Sequence, residues 1–456
     1  MADTFHLVNY LTTQRDKGIL IWLLNIGAEK YWNRVSAGVV DQNEDMLVNR
    51  VEEMNLLLCR EQDVLILRKL PDVSYLNALQ ELGFSIPRML IVEGDDLLTP
   101  ISELVLQDKG LQQQLIDISS EREDVYFVPY AVTRLEEQIA ENCGLRLIGA
   151  SSEVNAAVND KIFNREIAER LELEVCEGKI CANVQEIREE YDRLVSSSPA
   201  FEKVIIKEPH GASGKGLYII DSEDKLSSLL GRLARSSRNN PDSKWLVEGW
   251  YQKEADVNYQ IYIAPDGSVD VFSIKQQILR DTVYIGSKVP ADLNDDTLQA
   301  YKSYGEKIGA YLFGMGYTGV AGIDSIITSE HTIIPIIEIN GRFTLSTYIS
   351  FIAHVLEEGK VFSRYLKVLS EQPIAYKELK EALEENGILY DRKSGEGVIA
   401  YTSGTLPSRR DAGSGKYTGR LFVLIIAKEW DTNERYSTKL EEVVDSLSNR
   451  QSLSTT

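Results

Sequence analysis

Apolar residues in the first third of the chain come as short unbroken runs: Ile19–Leu24, Val64–Leu67, Met89–Val92 and Val125–Val128. Such runs are too short for helices and lack polar alternation. They predict strands covered on both faces. Arg146–Ile148 reads as a fifth strand. Between the runs, Tyr75–Leu82 has helical spacing and stops at Gly83, and Leu98–Ile118 reads as one helix. This alternation predicts an α/β Rossmann-like parallel sheet over residues 1–150. No glycine fingerprint follows the first strand, so no dinucleotide is assigned there.

Beyond residue 150 the pattern becomes mixed α+β. A helical stretch starts at Ser152, and Lys203–Lys207 reads as a strand leading into a glycine-rich loop, Gly211–Gly216. Ser236–Ser243 reads as a surface loop and Trp245–Val247 as a strand. Tyr259–Val271 reads as two strands joined by Pro265-Asp266-Gly267, a hairpin turn. Leu298–Phe313 is an amphipathic helix, followed by strands at Ala321–Ile327 and Ile333–Ile339. The remainder predicts a helix over Tyr376–Glu385, a Gly/Ser-rich segment over 394–415, a strand at Leu421–Ala427 and a terminal helix.

Composition narrows the function classes. The 456 residues suffice for two to four domains. The net charge of −21 argues against nucleic-acid binding and against a polybasic membrane anchor. It leaves room for one basic pocket holding a compact anion. The four cysteines lack C-x-x-C spacing and the four histidines are scattered, so neither a disulfide scaffold nor a zinc site is expected. Met1–Thr13 has no apolar signal-peptide core, and no run approaches the ~20 residues of a membrane span. A cytoplasmic location is expected.

Two motifs carry chemistry. In the first, a strand delivers Lys207 to a loop holding Gly211, Ser213, Gly214 and Gly216. Such a loop turns backbone N–H groups toward phosphate oxygens. It is not a Walker A loop, because Gly216 follows Lys215 where Ser or Thr is needed. In the second, strand alternation puts Glu338 and Asn340 on one face, and the short turn brings Asp324 roughly opposite Glu338. Two carboxylates and an amide oxygen suit Mg²⁺ or Mn²⁺ shared with substrate phosphates. Arg342 beside them suits a transferring phosphoryl group. A weaker signal is Trp245–Tyr251, where Glu248 ends an apolar strand. The glycines of Gly314–Gly319 match G-x-G-x-x-G but follow a helix and precede a strand, so they read as helix termination.

Taken in order, Asp160-Lys161, Lys207 with its glycine loop, Val247-Glu248, Asp324 and Glu338–Arg342 resemble the ATP-grasp superfamily. The resemblance covers about residues 150–350. Gly341 stands where many members carry Pro. The layout is similar to stand-alone bacterial peptide or amino-acid ligases of secondary metabolism. It implies a pre-ATP-grasp domain (1–150), a small lobe with the lid (151–247), a large lobe with the metal site (248–370) and a C-terminal segment (371–456). It further implies that Lys161 and Lys207 hold the α- and β-phosphates and that Gly211, Ser213, Gly214 and Gly216 cover the β- and γ-phosphates. Glu248 would sit at the adenine hinge and Asp256 at the ribose, with Asp324, Glu338 and Asn340 on Mg²⁺. Arg342 and Lys207 would be catalytic.

The implied activity is ATP-dependent amide formation between a small-molecule carboxylic acid and an amine or peptide, through an acyl phosphate. Alternatives are thioester loading of a carrier protein, a kinase, or a nucleotide-binding regulator. A homodimer is the family expectation. The acceptor pocket is expected to draw on residues 275–289 and the Gly/Ser-rich segment.

Overall fold

The computed structural model describes residues 18–32, 42–210, 216–237, 243–280, 283–355, 359–411 and 413–449. Three sheets organise it. The first contains the parallel strands Ile19–Leu23, Val64–Leu67, Arg88–Ile91, Val125–Pro129 and Arg146–Leu147, in spatial order third, second, first, fourth, fifth. The unbroken apolar runs are explained by two cores. Ile21, Leu23, Ile66 and Phe127 pack on one face against Val105, Leu115 and Ile139. Their alternate neighbours Leu20, Trp22, Leu65 and Leu67 pack on the other. Side chains alternate across a strand, so every position is needed by one core or the other.

The helix expected over 98–118 is two helices, Ile101–Gln107 and Lys109–Glu121. Asp108 breaks the run: its backbone is extended, and its carboxylate accepts the Leu111 N–H at 2.8 Å as an N-cap. The helix Arg134–Cys143 starts in a capping box between Thr133 and Glu136 and ends on Gly144 in the left-handed region.

The second sheet is antiparallel, with strands Gly178–Cys181, Trp245–Gly249, Val204–Lys207 and Leu217–Ile220 adjacent in that order. Helix Val184–Val195 packs on it, contributing Ile187 and Leu194 to a core with Val204, Ile206 and Trp245. The third sheet has nine strands, antiparallel throughout. Its order begins at the edge Ile333–Asn340, then Gly319–Thr328, Lys253–Ile263, Val269–Arg280 and Val283–Val289. It continues through Lys360–Ser370 and Tyr417–Ala427 to Gly397–Ala400. The short strand Arg409–Arg410 also pairs with Tyr417–Ala427. The C-terminal strands therefore extend the sheet that carries Asp324 and Glu338. The Gly/Ser-rich segment holds two of these strands rather than only loop.

All four cysteines are free and buried. Among the described residues, no helix is long and apolar enough to cross a membrane.

Candidate active site

The site begins with one helix. Asp160 caps Lys161–Arg170 by accepting the Ile162 N–H at 2.7 Å. Residues three and four apart share a helix face, which aligns Lys161, Asn164 and Arg165. Lys161 Nζ donates to Glu338 Oε1 at 2.8 Å. Asn164 Oδ1 accepts the Ile339 N–H at 2.7 Å, satisfying a donor on an edge strand. Arg165 turns to the other lobe: Nη1 donates to Glu248 Oε1 at 2.9 Å and to the Cys176 carbonyl at 2.6 Å. One helical face thus ties both lobes together. Sequence reading missed Arg165, although its place four residues after Lys161 was a usable signal.

Lys207 ends its strand buried, with Nζ 2.6 Å from Glu248 Oε2. Burial pulls its ammonium pKa down, but Glu248, Cys176 and Glu338 together more than offset this and hold it above the ordinary lysine value. Glu248 therefore sits between two cations, with both carboxylate oxygens engaged. Glu338, paired with Lys161, also acts electrostatically on Lys207, so Lys161, Lys207, Glu248 and Glu338 form one connected set of charges.

The loop after Lys207 is pinned at its ends. Glu208 N donates to the Gly216 carbonyl at 2.8 Å, and Tyr218 Oη donates to Glu208 Oε1 at 2.8 Å. Gly216 has φ +77°, in the region that favours glycine. Gly211, Ser213 and Gly214 lie outside the described residues. Asp256 lies on Lys253–Ile263, and its Oδ1 is 2.6 Å from Lys253 Nζ.

Asp324 and Glu338 are directly opposed in the antiparallel register, and Asn340 faces Gly322. Burial and the neighbouring Glu338 push the Asp324 carboxyl up to about 6. This holds even though Asn258 and Gln277 each donate to Asp324 Oδ1 at 2.9 Å. Asn340 Nδ2 lies 3.2 Å from Asp324 Oδ2. Among the described residues, no three His, Cys, Asp or Glu side chains converge on a metal position. The donor set is two carboxylates and an amide. Mutual repulsion of two half-buried acids is relieved by a hard divalent cation, so these residues fit Mg²⁺.

A relay of amides stands behind Asp324. Thr347 Oγ1 donates to Gln260 Oε1 at 2.7 Å, Gln260 Nε2 to Asn258 Oδ1 at 2.6 Å, and Asn258 Nδ2 to Asp324. Gly322 makes room for it, because a Cβ there would lie 2.6 Å from Gln260 Nε2. Sequence reading missed Asn258, Gln260 and Gln277, whose signal was cross-strand register alone.

Arg342 leans on the N-terminal domain. Its Nη1 donates to Tyr130 Oη at 3.1 Å, and its guanidinium lies 5.4 Å from the centroid of that ring. Tyr130 follows the fourth parallel strand, beside the first, where the strand order reverses. Ligands of open α/β sheets bind at such a point. Asn25 bridges the gap there, exchanging two hydrogen bonds with the Ala131 backbone at 2.9 and 3.0 Å. Gly341 permits close approach of helix Ser152–Val158: a Cβ would lie 2.7 Å from Val158 Cγ1. Lys275, within the expected acceptor stretch, is fully buried and donates to the Ser346 carbonyl, so it faces the interior. Residues 281 and 282 of that stretch lie outside the described residues.

The Pre ATP-grasp domain family matches residues 51–145, the ATP-grasp domain family residues 166–346, and the PGM1 C-terminal domain family residues 378–440. A relative from Niallia circulans, "[Butirosin acyl-carrier protein]--L-glutamate ligase", is 26% identical over 446 residues. The match covers 94% of this chain and 95% of the relative. "L-propargylglycine--L-glutamate ligase" of Streptantibioticus cattleyicolor is 24% identical over 341 residues, covering 67% and 70%. Among solved structures, an ADP complex of N5-carboxyaminoimidazole ribonucleotide synthetase aligns with TM-score 0.55 at 14% identity. It covers 94% of this chain and 98% of that one, which shows a shared fold.

Proposed function

We propose that this chain, an ATP-grasp ligase with a pre-ATP-grasp domain, forms an amide bond between an amino acid and an amine through an acyl phosphate. Both relatives are named as L-glutamate ligases, which makes L-glutamate the first substrate to test. The observation that supports the reading is the charge set in which Glu338 pairs with Lys161 and acts on Lys207, two cations able to meet a polyphosphate.

In this reading a substrate carboxylate oxygen attacks the γ-phosphorus of ATP, the bond to the β-bridging oxygen breaks, and ADP leaves. Lys161 and Lys207 hold the α- and β-phosphates, and the 211–216 loop, including Gly216, covers the β- and γ-phosphates. Asp324, Glu338 and Asn340 would hold Mg²⁺, which supplies charge neutralisation to the phosphates. Arg342, steadied by Tyr130, meets the transferring phosphoryl group at the strand-order reversal. The amine nitrogen then attacks the acyl carbon, the C–O bond to phosphate breaks, and the amine releases a proton. Glu248 is assigned to anchoring Lys207 beside the adenine hinge, because both its oxygens are occupied. Asp256 is assigned to the ribose.

A second reading, in which one substrate is borne on a carrier protein, is favoured by the name of the Niallia relative. One assay separates the two. The protein is incubated with MgATP, L-glutamate and pooled amino acids, with and without a loaded carrier protein, and followed by phosphate release and product mass. Free amide product supports the first reading, and a mass gain on the carrier supports the second. A phosphorylated product without free phosphate defeats both.

A further inference from the structure

A cleft of about 480 Å³ opens between the N-terminal domain and the C-terminal strands. Arg50 forms part of its wall and is 8% exposed. Its Nη2 donates to Glu53 Oε1 at 2.8 Å, while its buried Nη1 has no hydrogen-bond acceptor. The acid oxygen nearest Nη1, Glu52 Oε1, is 3.6 Å away. Glu53 is otherwise committed: it accepts from Ser403 N at 2.6 Å, from Ser403 Oγ at 2.8 Å and from Gly404 N at 3.0 Å. Glu52 and Glu53 thus hold Arg50 in the wall of the cleft.

Lys69, Arg409 and Arg410 also line the cleft, and among the described residues Asp72 is the one acid in the lining. Lys69 carries an exposed ion pair with Asp95 at 2.7 Å. On a chain of net charge −21 this is a local reversal of sign. Leu97 and Leu406 add apolar wall. None of these residues belongs to the nucleotide cleft. Arg409 pairs with Thr418 on Tyr417–Ala427, five interstrand steps from the strand carrying Asp324. At ~4.8 Å per step that is about 24 Å along the sheet.

We propose that this cleft is a second ligand site, for a small phosphate monoester with a partly apolar body. The volume falls within the range of small-molecule sites. Arginine forks match phosphate oxygens, and an excess of cations over acids favours a dianion over a single carboxylate.

The test is isothermal titration of the full chain, held in excess MgADP, with phenyl phosphate, benzoate and phenol. Phenyl phosphate is expected to bind one further site, about tenfold more tightly than benzoate or phenol. The double variant Arg409→Ala/Arg410→Ala should weaken that binding about tenfold while leaving MgADP affinity unchanged. Both arginines are exposed, so the variant keeps the core. Absent binding, benzoate binding as tightly, or a double variant that binds like the parent would each overturn the proposal.

Discussion

Replacing Glu248 by Gln tests whether that carboxylate anchors Lys207 or reads the adenine. Lys207 Nζ is 2.6 Å from one oxygen and Arg165 Nη1 is 2.9 Å from the other, with all three side chains 6% exposed. Removing one partner of a buried ion pair costs about 3–5 kcal/mol. Gln keeps the shape and one acceptor oxygen, so the lower end, about 3 kcal/mol, applies. For a unit of domain size that lowers the unfolding midpoint by roughly 6–12 °C. Burial is the largest influence on Lys207 and lowers its pKa, and loss of the Glu248 carboxylate removes the main influence opposing it. The measurements are scanning calorimetry and nucleotide binding with ATP and GTP. Anchoring predicts a lower midpoint and equal weakening toward both nucleotides. An unchanged midpoint together with an altered ATP/GTP preference would refute the anchoring role.

Replacing Arg342 by Ala should cost about 10²–10³ in kcat with nucleotide affinity kept, since its charge is aimed at the transferring group; turnover against fluorescent-nucleotide binding decides. Gly341→Ala places a methyl 2.7 Å from buried Val158 Cγ1, an overpacking expected to cost about 1–3 kcal/mol in urea unfolding. Asn258→Leu cuts the amide relay to Asp324, so the Mg²⁺ concentration for half-maximal activity should rise while the affinity for metal-free nucleotide holds. Burial, opposed by Arg50 and Arg68, pushes the Glu52 carboxyl up to about 7 from an ordinary 4.5. The folded protein then binds a proton that the unfolded chain has released, so this group's contribution to stability is greatest at low pH and is lost as pH rises from 4.5 through 7. Glu52→Gln should flatten that decline in midpoint between these pH values; an unaltered slope would count against it.

The parallel sheet was legible because both its faces are buried, so its strands stand out as unbroken apolar runs. The hairpin of Asp324 and Glu338 was legible as to faces, because alternation fixes them, but not as to register: the turn pairs Ile327 with Ile333, and an irregularity between Asp324 and Ile326 shifts Asp324 from Ile336 onto Glu338. Other strands were not. Lys360–Ser370 interleaves Ser, Arg and Lys with its apolar residues, and its pairing with Tyr417–Ala427 joins residues 47 (Ser370 with Tyr417) to 67 (Lys360 with Ala427) positions apart. Helices Val184–Val195 and Glu223–Ser237 are rich in charge, and their apolar stripe of Ile187, Leu194, Leu226, Leu229 and Leu233 stands out only once it packs on the second sheet. At the site, the lysines and acids were readable as types, but their partners were not. Nothing in Val247-Glu248 alone says that the carboxylate faces two cations instead of a base. The Tyr130 support for Arg342 spans 212 positions and depends on how two domains dock.

The central claim is that a substrate carboxylate is activated by phosphorylation before the amine arrives. The direct measurement uses L-glutamate, or whichever acid the substrate screen identifies, with both carboxyl groups labelled by ¹⁸O, followed by mass analysis of the released phosphate. An acyl-phosphate route predicts one ¹⁸O atom in phosphate for each amide formed. Unlabelled phosphate alongside amide product, or label appearing in AMP, would contradict it.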